Sequence, residues 1–162
     1  MNGHYGHWKS GQGPSQSGFL FMNGMLEDCA LLDYSDAGRW HDYMCNSLFH
    51  RFGYICEYNI NNCPPNLQRT KYLSVYKASC LQIVPLFKTW KDARKYCQHN
   101  HGDLVTITNF DKEVFVMSQL RSQNRHQKTW IGATDQVSEG NWKWVTGMSK
   151  LSHASYGVLT WS

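Results

Sequence analysis

The chain has 162 residues, of which 41% are hydrophobic, 14% aromatic and 17% charged, with a formal net charge of +4. That length suits one ordinary domain or two very small ones and is enough to bury a core. The aromatic content and low charge exclude a disordered chain, and no Gly-X-Y period or sustained heptad marks a fibrous one.

The chain reads as two blocks, residues 1–58 and 59–162. The first is mostly loop up to Leu26. Cys29 to Leu32 is a short apolar strand, Tyr34 to Gly38 a turn, and Trp40 to Cys45 and Phe52 to Glu57 are further strands. The junction Tyr58-Asn59-Ile60-Asn61-Asn62-Cys63-Pro64-Pro65-Asn66 is rich in Asn and Pro, which break regular structure. In the second block Thr89 can cap a helix from Trp90 to Asn100, with Asp92 as its capping-box partner and Gly102 as its stop. Trp90, Ala93 and Cys97 fall on one face of that helix. Asn109 can cap a second helix, Phe110 to Arg121, in which Phe110, Val114 and Met117 recur at helical spacing. Leu104 to Ile107 is a connector or strand, Thr129 to Ala133 a buried strand, and Asn141 to Val145 alternates as a half-buried one. Trp130, Ile131, Trp142 and Trp144 are the expected core of this block.

The small positive excess is densest from Arg121 to Lys128 and lacks interleaved aromatics, so no nucleic-acid partner is expected. No apolar run approaches the ~20 residues of a membrane helix, and no membrane insertion by this segment is expected. No Gly-x-Ser-x-Gly elbow, HExxH, Walker loop or dinucleotide fingerprint occurs, so catalysis is not expected.

Six cysteines occur, at positions 29, 45, 56, 63, 80 and 97. None forms a CxxC pair or sits near a His at zinc-finger spacing, which argues against structural zinc and for disulfides in an oxidising compartment. Six cysteines admit fifteen full pairings. Met1 to Ser15 is polar and glycine-rich, so no secretory signal peptide is read there. The expectation is a piece of something longer, extracellular or from a receptor ectodomain.

From Cys80 onward the second block resembles the first half of a C-type lectin-like domain. The residues that carry the resemblance are Cys80, the Trp90/Ala93/Cys97 face, Leu104-Val105-Thr106-Ile107, Trp130-Ile131-Gly132-Ala133 and Trp142-Lys143-Trp144. The first block resembles the second half, through Glu27-Asp28-Cys29-Ala30, Trp40-His41-Asp42 with Cys45, and Gly53-Tyr54-Ile55-Cys56-Glu57. Tyr5-Gly6-His7-Trp8 and Tyr156-Gly157-Val158-Leu159-Thr160-Trp161 are similar to one and the same family position. The chain thus resembles the end of one such domain joined to the start of the next, as in tandem-domain receptors similar to the mannose-receptor family.

The resemblance implies an α+β fold with two helices and small antiparallel sheets. Three arrangements are open: one circularly permuted domain within a single chain, a swapped dimer, or halves of different domains in which Cys56 and Cys97 have partners other than each other. It implies the bridges Cys29–Cys45, Cys63–Cys80 and Cys56–Cys97. It implies a non-enzymatic recognition module that binds its protein or glycan ligand without calcium, a protein before a sugar, with carbohydrate binding through a degenerate calcium site as the alternative. Tyr5, Trp8, Phe19 and His41 are candidate contacts, the first three in or beside the family's long loop. Calcium-binding members supply oxygens from a Glu-Pro-Asn or Gln-Pro-Asp motif, a Glu before the next Cys, and a Trp-Asn-Asp motif. Here Pro14 is flanked by Gly13 and Ser15, and His41 stands where Asn would donate a carbonyl. Only Glu27 and Asp42 remain as vestigial metal candidates, so no cofactor is expected and calcium is not expected to stabilise the fold.

Overall fold

The computed structural model describes residues 5–15, 28–68, 70–148 and 158–159. Six strands form the main path of a mixed sheet: β1 (Cys29–Asp33), β2 (Arg39–Tyr43), β3 (Phe52–Asn59), β4 (Leu73–Tyr76), β5 (Ser79–Lys88) and β7 (Lys128–Thr134), in the order β2-β1-β7-β3-β5-β4. The short β6 (Asp103–Leu104) pairs with β3, β8 (Trp142–Trp144) with β7, and β9 (Val158–Leu159) with β8. The contact between β3 and β7 is parallel and the remaining pairings are antiparallel. Two helices, α1 (Trp90–His99) and α2 (Phe110–Ser122), and the single turn α3 (Val145–Met148) complete the fold.

Strand β3 comes from the first block, yet it lies between β7 and β5 of the second. Its side chains alternate between two cores, as the two-residue period of a strand requires. Tyr54 and Cys56 join Leu31, Trp90, Ala93, Cys97 and Trp130 on one face. Ile55 joins Leu81, Ile83, Val116, Leu120, Ile131, Trp142 and Trp144 on the other. Covering both faces explains why β1 and β7 read as nearly unbroken apolar runs. Trp130 and Ile131 are fully buried, and Trp142 and Trp144 nearly so.

Both helices start where short-range chemistry directs. The Thr89 side chain accepts the Asp92 N–H, and the Asn109 side chain accepts the Lys112 N–H. The buried positions of α1 are Trp90, Ala93 and Cys97. On α2 the buried face is Lys112, Glu113, Val116 and Leu120, whereas Phe110 and Val114 are exposed. Lys112 and Glu113 face inward because each meets a polar partner from the first block. Lys112 Nζ lies 2.6 Å from Glu57 Oε2, and Glu57 Oε1 accepts the Thr106 N–H at 3.0 Å. Glu113 accepts the Tyr5 hydroxyl at 2.5 Å and meets His7 Nδ1 at 2.9 Å. Gly132 allows β7 to approach the segment after β6. Its N–H donates to the Val105 carbonyl at 2.8 Å, and an added Cβ would sit 2.7 Å from the Leu104 carbonyl oxygen.

Three disulfides link Cys29–Cys45, Cys56–Cys97 and Cys63–Cys80. Cys56–Cys97 joins β3 to α1 across a Cα separation of 5.3 Å. The Asn- and Pro-rich junction folds as two short 3-10 turns, Ile60–Asn62 and Pro65–Leu67.

Truncating Lys112 to Ala would leave the Glu57 carboxylate nearly buried without its cation, which costs about 3–5 kcal/mol. Urea unfolding should show that loss, and the double change Glu57→Gln with Lys112→Met should recover most of it. A single-variant loss below ~1 kcal/mol would mean that the pair does not tie β3 to α2.

Candidate functional site

The sequence candidates fall into distinct surroundings. Tyr5 packs edge-on against Trp40, with ring centroids 5.9 Å apart, while its hydroxyl bonds Glu113. That bond and burial raise the Tyr5 pKa, burial contributing most. Trp8 forms a parallel bridge with Trp40 and packs its ring on Trp40 and Trp142, at centroid distances of 5.7 and 4.6 Å. His41 is nearly buried, and its Nε2 lies 2.8 Å from Asp36 Oδ2. The bond to His41, followed by Arg39 at 2.9 Å, holds the Asp36 carboxyl below the usual carboxylate range. Asp42 is buried on β2, and its Oδ2 accepts the Gly13 N–H at 2.8 Å, fixing the turn Gly13–Ser15. Tyr5 and Trp8 thus pack the amino-terminal segment onto Trp40, and His41 is tied to Asp36. Phe19 and Glu27 lie outside the described residues.

A different cluster gathers at the end of β7. Asp28, Asp135 and Glu139 place one carboxylate oxygen each within 4.8 Å of one another. Two strands from different blocks bring them there. Cys29 on β1 pairs with Thr134 on β7. The Asp28 carbonyl accepts the Thr134 hydroxyl at 2.6 Å and the Asp135 N–H at 3.1 Å. A turn then folds the chain back. Asp135 Oδ2 accepts the Gly140 N–H at 2.9 Å, and the Ser138 N–H donates to the Asp135 carbonyl at 3.1 Å. Gly140 sits at φ +79°, in the left-handed region that glycine enters without strain, and this returns Glu139 to the cluster.

Electrostatically the cluster is unfinished. Asp135 is only 3% exposed, and burial pushes its pKa up to about 7, with Glu139 and Asp28 adding like-charge repulsion. Burial, then the charge of Asp28, raises the Glu139 pKa as well. The Asp28 and Asp135 Oδ1 atoms are buried without a hydrogen-bond partner. Buried carboxylate oxygens normally have donors. No Lys or Arg forms an ion pair with the cluster among the described residues. Three hard oxygen donors with two orphaned atoms fit a divalent cation such as calcium, which takes oxygen ligands from carboxylates, carbonyls and water. Sequence reading missed this cluster because Asp28 and Asp135 meet only through the β1–β7 pairing. The available signal was an acidic residue directly before Cys29 and a second acidic pair, Asp135 and Glu139, one turn after the buried strand.

With this geometry in place, the second block can be compared with known proteins. Residues 87–160 match the lectin C-type domain. The two helices, mixed sheet and three disulfides are consistent with the α+β fold of C-type lectins. Over 96 residues the chain is 32% identical to "Perlucin-like protein" of Mytilus galloprovincialis, covering 59% of this chain and 58% of that protein. Over 72 residues it is 40% identical to "Asialoglycoprotein receptor 1" of Rattus norvegicus, covering 44% of this chain and 23% of the receptor. It is 38% identical over 72 residues to "Asialoglycoprotein receptor 2" of Homo sapiens, covering 44% of this chain and 21% of the receptor. The chain therefore spans just over half of the first relative and less than a quarter of these receptors. No solved structure matches it significantly. No helix among the described residues is long and apolar enough to cross a membrane.

The raised Asp135 pKa has a pH signature. An aspartate at about 7 in the fold and ~3.9 unfolded keeps its proton in the native state through that interval. The resulting destabilisation is full above pH 7 and fades as pH falls toward 4. In EGTA, Asp135→Asn should raise the melting temperature by several degrees at pH 8 and leave it nearly unchanged at pH 4, read by circular dichroism. An equal effect at both pH values would contradict the buried-charge account.

Proposed function

We propose that this chain is a lectin-like recognition module that binds a glycan and holds a calcium ion on Asp28, Asp135 and Glu139. The observation that carries this reading is the pair of buried, unpartnered carboxylate oxygens at the junction of β1 and β7. Bound calcium would neutralise the three carboxylates, supply the partners that Asp28 and Asp135 lack, and fix the Ser138–Gly140 turn through Glu139. The remaining ligands would be carbonyls or water. The lectins and receptors among the relatives support a glycan rather than a substrate that turns over.

The calcium-free alternative rests on Gly13, Ser15 and His41, which lack the family's ligand atoms, and on Asp42, whose Oδ2 already accepts the Gly13 N–H. Those residues bear on a different place from the β1–β7 cluster. The reading also takes residues 1–58 and 59–162 as complementary halves of one permuted domain, because β3 fills the gap between β5 and β7. The three disulfides suit an oxidising, extracellular setting such as a receptor ectodomain.

Calorimetric titration with CaCl2 should show one site of micromolar to millimolar affinity. Asp28→Asn with Asp135→Asn should weaken it at least tenfold. A glycan array should show signals that EGTA removes. Calcium binding unchanged in the double variant, or absent at millimolar calcium, would reject the cation site, and glycan signals that persist in EGTA would favour the calcium-free alternative.

A further inference from the structure

At the end of the sheet opposite the acidic cluster, the turn between β1 and β2, the starts of β7 and β3 and the end of β5 come together. The registers set one residue from each of five strands in a single cross-strand row. Arg39 pairs with Asp33, and Asp33 with Lys128. Gly53 pairs with Thr129, which sets Phe52 beside Lys128, and Phe52 pairs with Lys88. Partners in such a row present their side chains to the same face. With neighbouring strands about 4.8 Å apart, the row spans roughly 19 Å. Its three cations, Arg39, Lys88 and Lys128, are exposed or half-buried.

The flanks of the row are basic as well. Lys9 lies beside β2, its N–H donating to the Trp40 carbonyl at 2.9 Å, Arg51 directly precedes β3, and Arg125 precedes β7. Among the described residues, the carboxylates that meet these bases are Asp33 and Asp36. Asp33 faces Lys128 at 3.6 Å, and Asp36 serves Arg39 at 2.9 Å and Lys9 at 4.0 Å. Arg51, Lys88 and Arg125 form no ion pair among the described residues. Six bases against two carboxylates gather here an excess equal to the whole chain's net charge of +4. Arg125 is the least satisfied of them. Its Nε is buried without a hydrogen-bond partner, in a crevice lined by Phe87, Gln127, Lys128 and Thr129. Buried donors normally have acceptors. The loop that carries it is preformed: the Arg125 N–H donates to the Leu120 carbonyl at 2.8 Å, and the Gln123 side-chain amide to the Lys71 carbonyl at 2.7 Å.

We infer that this end of the sheet binds a linear sulfated polysaccharide, laid along the row with one acid group on Arg125. The inference is independent of the calcium reading, because its residues lie at the other end of β7. Three features select this occupant. Arg39, Lys128 and Lys88 follow one another at two strand spacings, roughly 10 Å. An extended chain with acid groups at intervals meets all three, whereas a lone phosphate or sulfate meets one. The three disulfides suit an oxidising setting, away from nucleic acids and from the anionic leaflet of the cell interior. An acidic protein would draw its affinity from an apolar anchor at the centre of the contact. The ring in the row, Phe52, is already packed against Tyr43 and Trp130. Phe87 is exposed, but it lies off the row in the irregular part of β5, where the C–H face of a sugar ring can stack on it.

The test is calorimetric titration in EGTA with a heparin-derived octasaccharide, its fully desulfated counterpart, octaglutamate and phosphatidylglycerol vesicles. The sulfated octasaccharide should bind at least tenfold more tightly than the desulfated one and than octaglutamate, and added salt should weaken it. Lys88→Gln with Arg125→Gln removes two bases that hold no ion pair, and should lower that affinity at least tenfold with the circular dichroism unchanged. Lys77→Gln with Lys143→Gln removes the same charge at the opposite end of the sheet, and should change it less than threefold. Equal losses in the two double variants would reduce the effect to net charge and overturn the inference. So would no binding of the sulfated octasaccharide, or equal binding of octaglutamate or of the vesicles, which would assign the row to an acidic protein or a membrane. Binding that resists EGTA and is lost in the Lys88/Arg125 variant belongs to the row. Binding that EGTA removes belongs to the carboxylate cluster, so the two readings fail separately.

Discussion

Everything in this structure depends on β3 occupying the middle of the sheet. Phe52–Asn59 pairs antiparallel with β5 along one edge and, along the other, in parallel with β7 and antiparallel with the short β6. Remove it and β7 loses its neighbour, two cores lose their shared wall, and an open sheet edge is exposed. The strand is fixed by more than its ladder. Cys56 is bonded to Cys97 on α1, and Glu57 meets Lys112 on α2. A covalent tie and a nearly buried ion pair at adjacent positions thus fasten the same strand to a helix on each face. The alternation of side chains makes this possible, because successive residues point to opposite cores.

The acidic cluster follows from the same topology. With β3 beside β7, the opposite edge of β7 is free for β1, and β1 brings Asp28 to Asp135. The carboxylates of the cluster are thus supplied by both blocks of the chain. Concentrating like charges at a buried strand end is unfavourable alone, and the raised pKa of Asp135 expresses that cost. The cation proposed above would turn the same arrangement from a liability into a clamp. The loop after β2 borders the cluster on its other side, where the Cys29–Cys45 bridge holds it in place.

Short-range features were legible in the sequence. Thr89 and Asn109 marked both helix starts because capping is local, and Trp130, Ile131, Trp142 and Trp144 announced buried strands by composition alone. The face of α2 was not legible. Phe110 and Val114 have helical spacing but lie outward, and the inward positions Lys112 and Glu113 are charged, settled by partners in the first block. The hairpin of β4 and β5 carried little pattern, since Val75, Leu86 and Phe87 are apolar yet exposed. The acidic cluster was hidden for a related reason. Its members are brought together by strand pairing between distant segments, and no local spacing records such a meeting.

The central claim is that residues 1–58 and 59–162 close on each other within one chain through β3. Unlabelled and 15N-labelled chains can be mixed unfolded and reduced, refolded together with oxidation, and digested without reduction. Mass spectrometry of the peptide pair containing Cys56 and Cys97 then reports which chains were joined. The account predicts that both peptides of each linked pair carry the same isotope. Pairs of mixed isotope composition, or Cys56 linked to any other cysteine, would contradict it.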